Sequence, residues 1–146
     1  MIELRGADRA LFASDVHLDE HDPPTADAFF EALARESAGA THVFLLGDLF
    51  EAWVGDDDPG AVGQRAAASL AALAAAGVRV FLMRGNRDFL LGEDFARECG
   101  AVLLPDPVLT DINGRRVLLT HGDALCVDDR PYQRLRALLR DADVQR

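Results

Sequence analysis

The sequence predicts an α/β fold in which a β-sheet is flanked by helices, and two patterns support this prediction. Short apolar segments alternate along the chain with helical segments, which is typical of parallel strands joined by helices. Further along, an Asn113-Gly114 pair separates two apolar runs, which is a strong hairpin signal. We therefore expect parallel strands with right-handed crossovers, followed by an antiparallel hairpin, in one domain over residues 1–146.

The expected elements follow one another without an internal repeat or a low-complexity linker. Thr25 is a candidate cap for the first helix, and Gly77 closes the second, which is rich in alanine and leucine. The last helix begins at Pro131, has leucines on one face and reaches the final residue without a cap. In order, the expected elements are strand 9–13, helix 24–37, strand 41–48, helix 59–76, strand 78–86, helix 92–99, strand 101–105, hairpin strands 107–112 and 115–123, and helix 131–146.

The composition limits the classes of function. A net charge of -10, from 25 acidic and 15 basic residues, argues against nucleic-acid binding, which needs a basic surface. Cys99 and Cys126 form neither a metal-binding pair nor a disulfide framework, which favours a reducing cytoplasm. No basic leader precedes a long apolar stretch, and no segment approaches the roughly 20 apolar residues of a spanning helix. We expect a cytoplasmic protein that does not cross a membrane.

Potential metal ligands follow the expected strands. In an open α/β sheet, ligands bind beyond the carboxyl ends of the strands, so residues there are candidates for chemistry. Each of them taken alone is more often a loop cap or a surface group. Together they combine carboxylate, imidazole and amide groups, which suit Mn²⁺, Fe²⁺ or Zn²⁺ and differ from a cysteine-rich structural zinc site. These candidates are Asp15 and His17, then Asp48, then Asn86, Arg87 and Asp88, and finally His121 and Asp123.

The blocks that contain these residues point to a known family. They are SDVHL, LLGDLFEAW, RGNRDFLL and THGDALCVDD. In order and spacing, they resemble the metal-binding blocks of the calcineurin-like metallophosphoesterases, over nearly the whole chain. Within that superfamily they are similar to the UDP-2,3-diacylglucosamine hydrolases of lipid A biosynthesis. The resemblance implies a layered metallophosphoesterase sandwich and hydrolysis of a pyrophosphate bond, which releases UMP and 2,3-diacylglucosamine 1-phosphate.

The resemblance also implies a centre that holds two Mn²⁺ ions. It assigns Asp15 and His17 to one ion, Asn86 and His121 to the other, and Asp48 to the position between them. Two such ions can activate a water molecule and neutralise the phosphoryl oxygens. Asp48, Asn86 and His121 are therefore expected to be catalytic as well as metal-binding.

Three residues are implied to bind the substrate, namely Asn86, Arg87 and Asp129. The planar guanidinium of Arg87 suits two phosphate oxygens. The alternatives are a surface salt bridge from Arg87 to Asp88 or Glu93, and an N-cap role for Asp129. A nucleotide-lipid substrate further implies peripheral contact with the cytoplasmic face of the inner membrane. For the arginine-rich last helix, the alternative is a solvated face.

Two apolar features in the loops have alternative interpretations. The acidic loop EAWVGDDDP is expected to be solvated, with Trp53 either in the core or in contact with a lid. Phe89, Leu90 and Leu91 either line a groove for acyl chains or form a hydrophobic cluster where a helix starts.

Two features of the resembled family are absent. A later G-H-x-H block, which gives one histidine to each metal, and a helical cap that helps to hold the lipid are missing. Neither His21 nor His42 is positioned to replace the lost ligands. We therefore expect a domain that is incomplete at its C-terminus and has weak or no activity. The alternatives are a non-catalytic, truncated metal-binding module and a metallophosphoesterase for another nucleotide diphosphate or phosphodiester.

Overall fold

The computed structural model describes residues 2–4 and 7–141, which form two sheets and four α-helices. Short 3₁₀ geometry occurs at Asp123–Leu125. The strands are β1 (Ile2–Leu4), β2 (Ala10–Ala13), β3 (His42–Leu46), β4 (Arg79–Met83), β5 (Ala101–Leu104), β6 (Val108–Ile112) and β7 (Arg115–Leu119). The helices are α1 (Pro23–Glu36), α2 (Gly60–Ala75), α3 (Glu93–Glu98) and α4 (Arg130–Leu139).

The larger sheet is parallel and has the order β2-β3-β4-β5, which confirms the parallel pairing expected from the sequence. Its two central strands, β3 and β4, are buried on both faces, whereas the edge strands β2 and β5 are partly exposed. Val43 and Leu45 point into a core that they share with residues of α1, α2 and α3. Phe44 lies between them in the chain and points to the opposite face. Alternate residues of a strand thus serve two different layers.

Within residues 2–4 and 7–141, a second sheet and no helix covers the opposite face. This sheet has the order β1-β6-β7, in which β6 and β7 form the predicted antiparallel hairpin. Asn113 and Gly114 have φ values of 51° and 81°, as a tight hairpin turn requires. The sequence did not predict β1, which has three residues and pairs in parallel with β6. A strand this short carries too little periodicity to be recognised.

The second sheet covers only the middle of the larger one. One row of paired residues crosses the larger sheet from β2 to β5, and it consists of Phe12, Phe44, Phe81 and Val102. The three rings stack with centroids 4.7 and 4.8 Å apart. Phe44 and Phe81 are buried, whereas Phe12 and Val102 at the two ends are 45% and 51% exposed. The apolar layer between the sheets is therefore uncovered at both edges.

Helix boundaries differ in detail from the sequence prediction. Asp22, and not Thr25, caps α1, because its carboxylate accepts a hydrogen bond from the Thr25 backbone N–H. Asp129 caps α4 in the same way through the Tyr132 N–H, at 3.1 Å. Helix α4 ends at Leu139. The prediction that it continues to the last residue falls in part on residues 142–146, which lie outside the described residues.

The acidic loop makes more contacts with the rest of the fold than the sequence suggested. Asp56 accepts hydrogen bonds from the backbone N–H groups of Gly92 and Phe95, both at 2.9 Å. It therefore caps α3 from a distance, because Gly92 at the helix start has no side chain to do so. Trp53 also donates to Asp56 and packs between Phe50 and Phe95, which places it in the core.

His42 lies at the N-terminal end of β3, far along the strand from the end at which the predicted ligands lie. It is 2% exposed and its ring stacks on Phe44 and Phe81. Its Nδ1 contacts the Thr41 hydroxyl, and its Nε2 has no partner within the part of the chain that the structure describes. His42 is therefore a core residue of the layer between the sheets.

The buried ring of His42 is expected to make the fold sensitive to mild acid. Burial, with the nearby charge of Arg79, lowers the pKa of His42, and Asp8 opposes this shift weakly. The unfolded chain therefore takes up a proton first as the pH falls below about 6.5, and the free energy of unfolding decreases by at most about 1.4 kcal/mol per pH unit. We expect His42→Phe to reduce this loss in urea unfolding measured at about pH 7.5 and about pH 5.5.

His21 provides a control, because its pKa is shifted in the opposite direction to that of His42. It is exposed, and the hydrogen bond that its Nδ1–H donates to the Asp19 carboxylate raises the pKa of its imidazole. Its protonation therefore favours the folded state, so His21→Asn should leave the acid sensitivity unchanged or slightly larger. An equal loss in the wild type and in His42→Phe would contradict the assignment to His42.

Candidate active site

The loops that follow β2 and β3 run side by side and bring three of the predicted ligands together. The Asp15 N–H donates to the Gly47 carbonyl, and the N–H groups of Val16 and His17 donate to the Asp48 carbonyl, over 2.9–3.1 Å. Asp15, His17 and Asp48 have φ values of 55°, 55° and 51°. This left-handed conformation is uncommon for residues other than glycine and is found where the surroundings impose it, often at functional sites.

Asp15, His17 and Asp48 form one candidate metal group. Each offers one ligand atom, and these atoms lie within 4.8 Å of one another. The His17 Nε2 lies 3.8 Å from Asp48 Oδ2. Asp48 is 3% exposed, whereas Asp15 is exposed, so the group opens to solvent on one side. Carboxylate and imidazole donors at these separations can share one divalent cation.

Asn86 and His121 form a second group on the other side of Asp48. The His121 Nε2 lies 3.1 Å from Asn86 Oδ1 and 3.7 Å from Asp48 Oδ1. The His121 Nδ1 lies 2.9 Å from the Leu46 carbonyl, which can only accept, so Nδ1 carries the proton. The Nε2 lone pair and the Asn86 oxygen are then two acceptors that face each other. A cation between them satisfies both, since donors at about 2.0–2.2 Å from one ion can be 3.1 Å apart.

Two glycines allow the three loops to approach this closely. A Cβ atom at Gly85 would lie 2.0 Å from Asp48 Oδ1, and one at Gly47 would lie 2.5 Å from His121 Nδ1. Gly47 also has a φ of 95°. The glycines that precede Asp48 and Asn86 in the sequence are therefore required by the site geometry.

Asp88, one of the strand-end candidates, does not face the metal groups. Its buried carboxylate accepts hydrogen bonds from the backbone N–H groups of Asp48, Leu49, Phe50 and Gly85 at 2.7–3.4 Å. Burial raises the pKa of Asp88, and the N–H donors partly offset that shift. Asp88 thus ties the loop after β4 to the loop after β3 and orients the residues that do face the site.

Arg87 lies at the rim of the site. Its backbone N–H donates to Asp48 Oδ1 at 2.9 Å, and its half-exposed side chain places Nη1 3.4 Å from Glu51 Oε1. The ion pairs considered from the sequence, with Asp88 or Glu93, are wrong, because Asp88 is turned to the backbone and the observed carboxylate partner is Glu51. The same Glu51 also contacts His17, as Oε2 lies 2.7 Å from the His17 Nδ1. In the sequence, the only indication of a role for Glu51 was its position three residues after Asp48.

Asp123 was also among the strand-end candidates, and its carboxylate holds α4. It accepts hydrogen bonds from the Tyr132 hydroxyl at 2.5 Å and from Arg136 Nε at 2.9 Å. Burial alone would raise the pKa of Asp123, but the hydrogen bonds from Arg136 and Tyr132 outweigh it and lower the pKa. With its carboxylate used in this way, Asp123 anchors the helix and does not join the metal groups.

Asp106, which the sequence did not single out, connects α4 to the second metal group. One of its oxygens accepts from the His121 N–H and the Thr120 hydroxyl, at 3.1 and 2.7 Å. The other accepts from Arg136 and Arg140, both at 2.9 Å. These bonds place α4 against the loop that carries His121. An aspartate between two strands has no local pattern that would have predicted this long-range role.

A groove runs from Asn86 and Arg87 along α4. Arg136 on α4 and Arg140 directly after it are already paired with Asp106 and Asp123, whereas Arg87 points to the rim. Leu91 belongs to the core, and Phe89 lines the groove. The lining residues are Gly85, Asn86, Arg87, Phe89, Tyr132, Leu135, Arg136, Leu139 and Arg140.

Residues 9–144 match the calcineurin-like phosphoesterase family, and the chain belongs to that family. It is 52% identical over 135 residues to a UDP-2,3-diacylglucosamine hydrolase of Stenotrophomonas maltophilia, covering 92% of this chain and 54% of the relative. It is 49% identical over 131 residues to the hydrolase of the same name of Xanthomonas oryzae pv. oryzae, covering 90% and 53%. For the one of Salmonella agona, the identity is 47% over 136 residues, covering 93% and 57%. The chain spans about half the length of these curated relatives.

The fold is also found in a solved structure. A protein of unknown function from Aquifex aeolicus is similar with a TM-score of 0.56 and 16% sequence identity, over 87% of this chain and 68% of that one. At this identity the similarity concerns the fold alone. Among the helices of the described residues, none is long and apolar enough to cross a membrane.

Proposed function

We propose that this chain provides the metal-binding half of an enzyme that hydrolyses the pyrophosphate bond of UDP-2,3-diacylglucosamine. The products would be UMP and 2,3-diacylglucosamine 1-phosphate. The observation that carries the proposal is the position of Asp48, whose two carboxylate oxygens face two different ligand groups. One lies 3.8 Å from the His17 Nε2 and the other 3.7 Å from the His121 Nε2. The names of the relatives support the choice of substrate.

The residues present fit a pair of divalent cations. Asp15 and His17 would hold one ion and Asn86 and His121 the other, with Asp48 between them, and we propose Mn²⁺ for both. When bound, such ions supply Lewis acidity that activates water and neutralises the phosphoryl oxygens. The converging acceptors of Asn86 and His121 support this assignment, since a bound cation resolves their mutual repulsion.

The groove is proposed to receive the substrate. Arg87 can donate two parallel hydrogen bonds to phosphate oxygens beside Asn86, and Phe89 and Leu135 offer apolar surface a short way along the groove. A cationic rim next to an apolar wall suits a molecule that joins a pyrophosphate to acyl chains. Asp129 is proposed as a further substrate contact in addition to its observed role as the cap of α4. Both roles are compatible, because capping uses only Oδ1.

The domain is proposed to be completed by further polypeptide on its C-terminal side. The chain spans about half the length of its relatives, and the apolar row from Phe12 to Val102 is uncovered at both edges. Each proposed ion also has few protein ligands in the described residues. A nucleotide-lipid substrate further supports peripheral contact with the cytoplasmic face of the inner membrane.

An assay of UMP release tests the proposal. Residues 1–146 alone should bind Mn²⁺ weakly and show little turnover. A chimera, in which this chain replaces the matching 135 residues of the Stenotrophomonas maltophilia relative, should hydrolyse UDP-2,3-diacylglucosamine in the presence of Mn²⁺.

The chimera tests the proposed substrate, and residues 1–146 alone test the need for additional polypeptide. A folded, metal-loaded chimera without turnover would contradict the substrate, and the same chimera should then be tested on other nucleotide diphosphates and phosphodiesters. Turnover by residues 1–146 alone, at the rate of the chimera, would show that the additional polypeptide is dispensable.

A further inference from the structure

Glu51 contacts both the side chain of a proposed metal ligand and the side chain of the proposed phosphate contact. Its Oε2 lies 2.7 Å from the His17 Nδ1, and its Oε1 lies 3.4 Å from the Arg87 Nη1. Its backbone is fixed, because the Glu51 N–H donates to the Leu18 carbonyl at 3.0 Å. The side chain therefore leaves the backbone at a defined place beside both partners.

The contact with His17 has a direct consequence for the ring. An ionised carboxylate can only accept, so the His17 Nδ1 must carry the proton. The Nε2 lone pair is then directed towards Asp48, where a metal ion would need it. The Leu46 carbonyl holds His121 in the same way, so both histidines of the site have their tautomer set by an acceptor behind the ring.

The contact with Arg87 restricts a long side chain. The Arg87 guanidinium is half exposed and could otherwise extend into solvent. Glu51 attracts it towards the metal groups through one oxygen while the other oxygen holds His17. The two partners use different oxygen atoms, so both contacts are made at once.

We propose that Glu51 is a positioning residue that sets the tautomer of His17 and keeps Arg87 at the rim of the metal site. The role of Arg87 in binding phosphate rests on the proposed function; the role of Glu51 towards His17 needs only metal binding. A partly exposed ion pair with no such role would leave both the tautomer and the metal affinity unchanged.

Two substitutions separate the two contacts of Glu51. Glu51→Gln retains an oxygen that can accept from His17 but removes the charge that attracts Arg87. Glu51→Ala removes both contacts. Glu31→Gln, on the exposed side of α1, is the matched control. Dispersion of the amide NMR spectrum confirms that each variant is folded.

The first measurement is the tautomer of His17 in the metal-free chain, read from the ring ¹⁵N shifts at mildly alkaline pH. We expect the Nδ1–H form in the wild type, in Glu51→Gln and in Glu31→Gln, and a mixture of both tautomers in Glu51→Ala. The wild-type form unchanged in Glu51→Ala would overturn the proposal. This measurement uses no substrate, so its failure is distinct from a failure of the proposed function.

The second measurement is Mn²⁺ affinity, by calorimetric titration of the same variants. Loss of a carboxylate behind a ligating histidine typically weakens metal binding about 10–100-fold, and we expect this range for Glu51→Ala. Glu51→Gln should lose clearly less, and Glu31→Gln nothing. Equal affinity in the wild type and Glu51→Ala would also overturn the proposal.

The third measurement concerns Arg87 and uses the chimera. Glu51→Gln should raise KM for UDP-2,3-diacylglucosamine more than it lowers kcat, because Arg87 is released while the metal ligands stay in place. An unchanged KM would overturn the part of the proposal that concerns Arg87. An inactive wild-type chimera would instead count against the proposed function, while the tautomer and affinity results would still decide the role of Glu51.

Discussion

Asp48→Ala is expected to abolish Mn²⁺ binding and to lower the rate of UMP release by the chimera at least about 1,000-fold. The residue lies between the two ligand groups, so its loss leaves two cations facing each other without the anion they share. No other carboxylate among the described residues lies within reach of both His17 Nε2 and His121 Nε2 in the contacts observed. Metal content and hydrolysis rate, measured on the same preparation, test this expectation.

The thermal midpoint distinguishes loss of the metals from loss of the fold. Metal-free Asp48→Ala should unfold at a temperature near that of the metal-free wild type, while the increase that Mn²⁺ causes in the wild type should disappear. Asp27→Asn, which alters a surface pair with Arg65, is the control and should retain that increase. Normal metal content with normal turnover in Asp48→Ala would contradict the bridging role.

Asp88→Ala is expected to lower the free energy of unfolding by about 3–5 kcal/mol, because four buried N–H groups lose their acceptor. Domains of this kind are stable by only about 5–15 kcal/mol, so the variant should be close to unfolding. Urea unfolding of the metal-free chain measures the effect. A further expectation is weaker Mn²⁺ binding, since the donors belong to the loops that carry Asp48 and Asn86.

Asp88→Asn is a stricter test, because asparagine has nearly the same shape as aspartate. Each oxygen of Asp88 accepts from two N–H groups, so an amide nitrogen in either position faces two donors. We expect Asp88→Asn to be almost as destabilising as Asp88→Ala. Asp94→Asn, which alters an exposed pair with Arg97, should change the stability by about 1 kcal/mol at most. An Asp88→Asn variant as stable as Asp94→Asn would contradict the assignment.

The contrast between Asp48 and Asp88 shows how far sequence reasoning reaches at this site. Both are aspartates that follow a strand and were candidates for that reason, although the family resemblance assigned only Asp48 to the metal centre. Asp48 has a φ of 51° and presents its carboxylate to two histidines, whereas Asp88 is directed inward to backbone N–H groups. The residue type indicates which chemistry is available, but the backbone conformation of each loop decides the direction in which it is presented.

Contacts between residues distant in the chain could not be predicted from the sequence either. Glu51 and Asp106 have no local pattern that marks them, and their partners lie 14 to 36 positions away, as in the contacts of Asp106 with Thr120 and of Glu51 with Arg87. Thr25 was chosen as a cap by its type, although Asp22 does the capping. Helix caps and long-range contacts depend on the positions of single atoms to within a few ångströms, which hydrophobic periodicity does not specify.

The sequence by itself determined the parallel sheet, the hairpin at Asn113-Gly114 and the set of residues at the strand ends. These follow from hydrophobic period, turn chemistry and the rule that parallel strands end on one edge, all of which act over short stretches. Only the tertiary structure decided that Asp15, His17, Asp48, Asn86 and His121 converge while Asp88 and Asp123 turn away to support the loops and α4. The reason is the close packing of three loops around Gly47 and Gly85, where an added Cβ atom would lie 2.5 Å from His121 Nδ1 and 2.0 Å from Asp48 Oδ1.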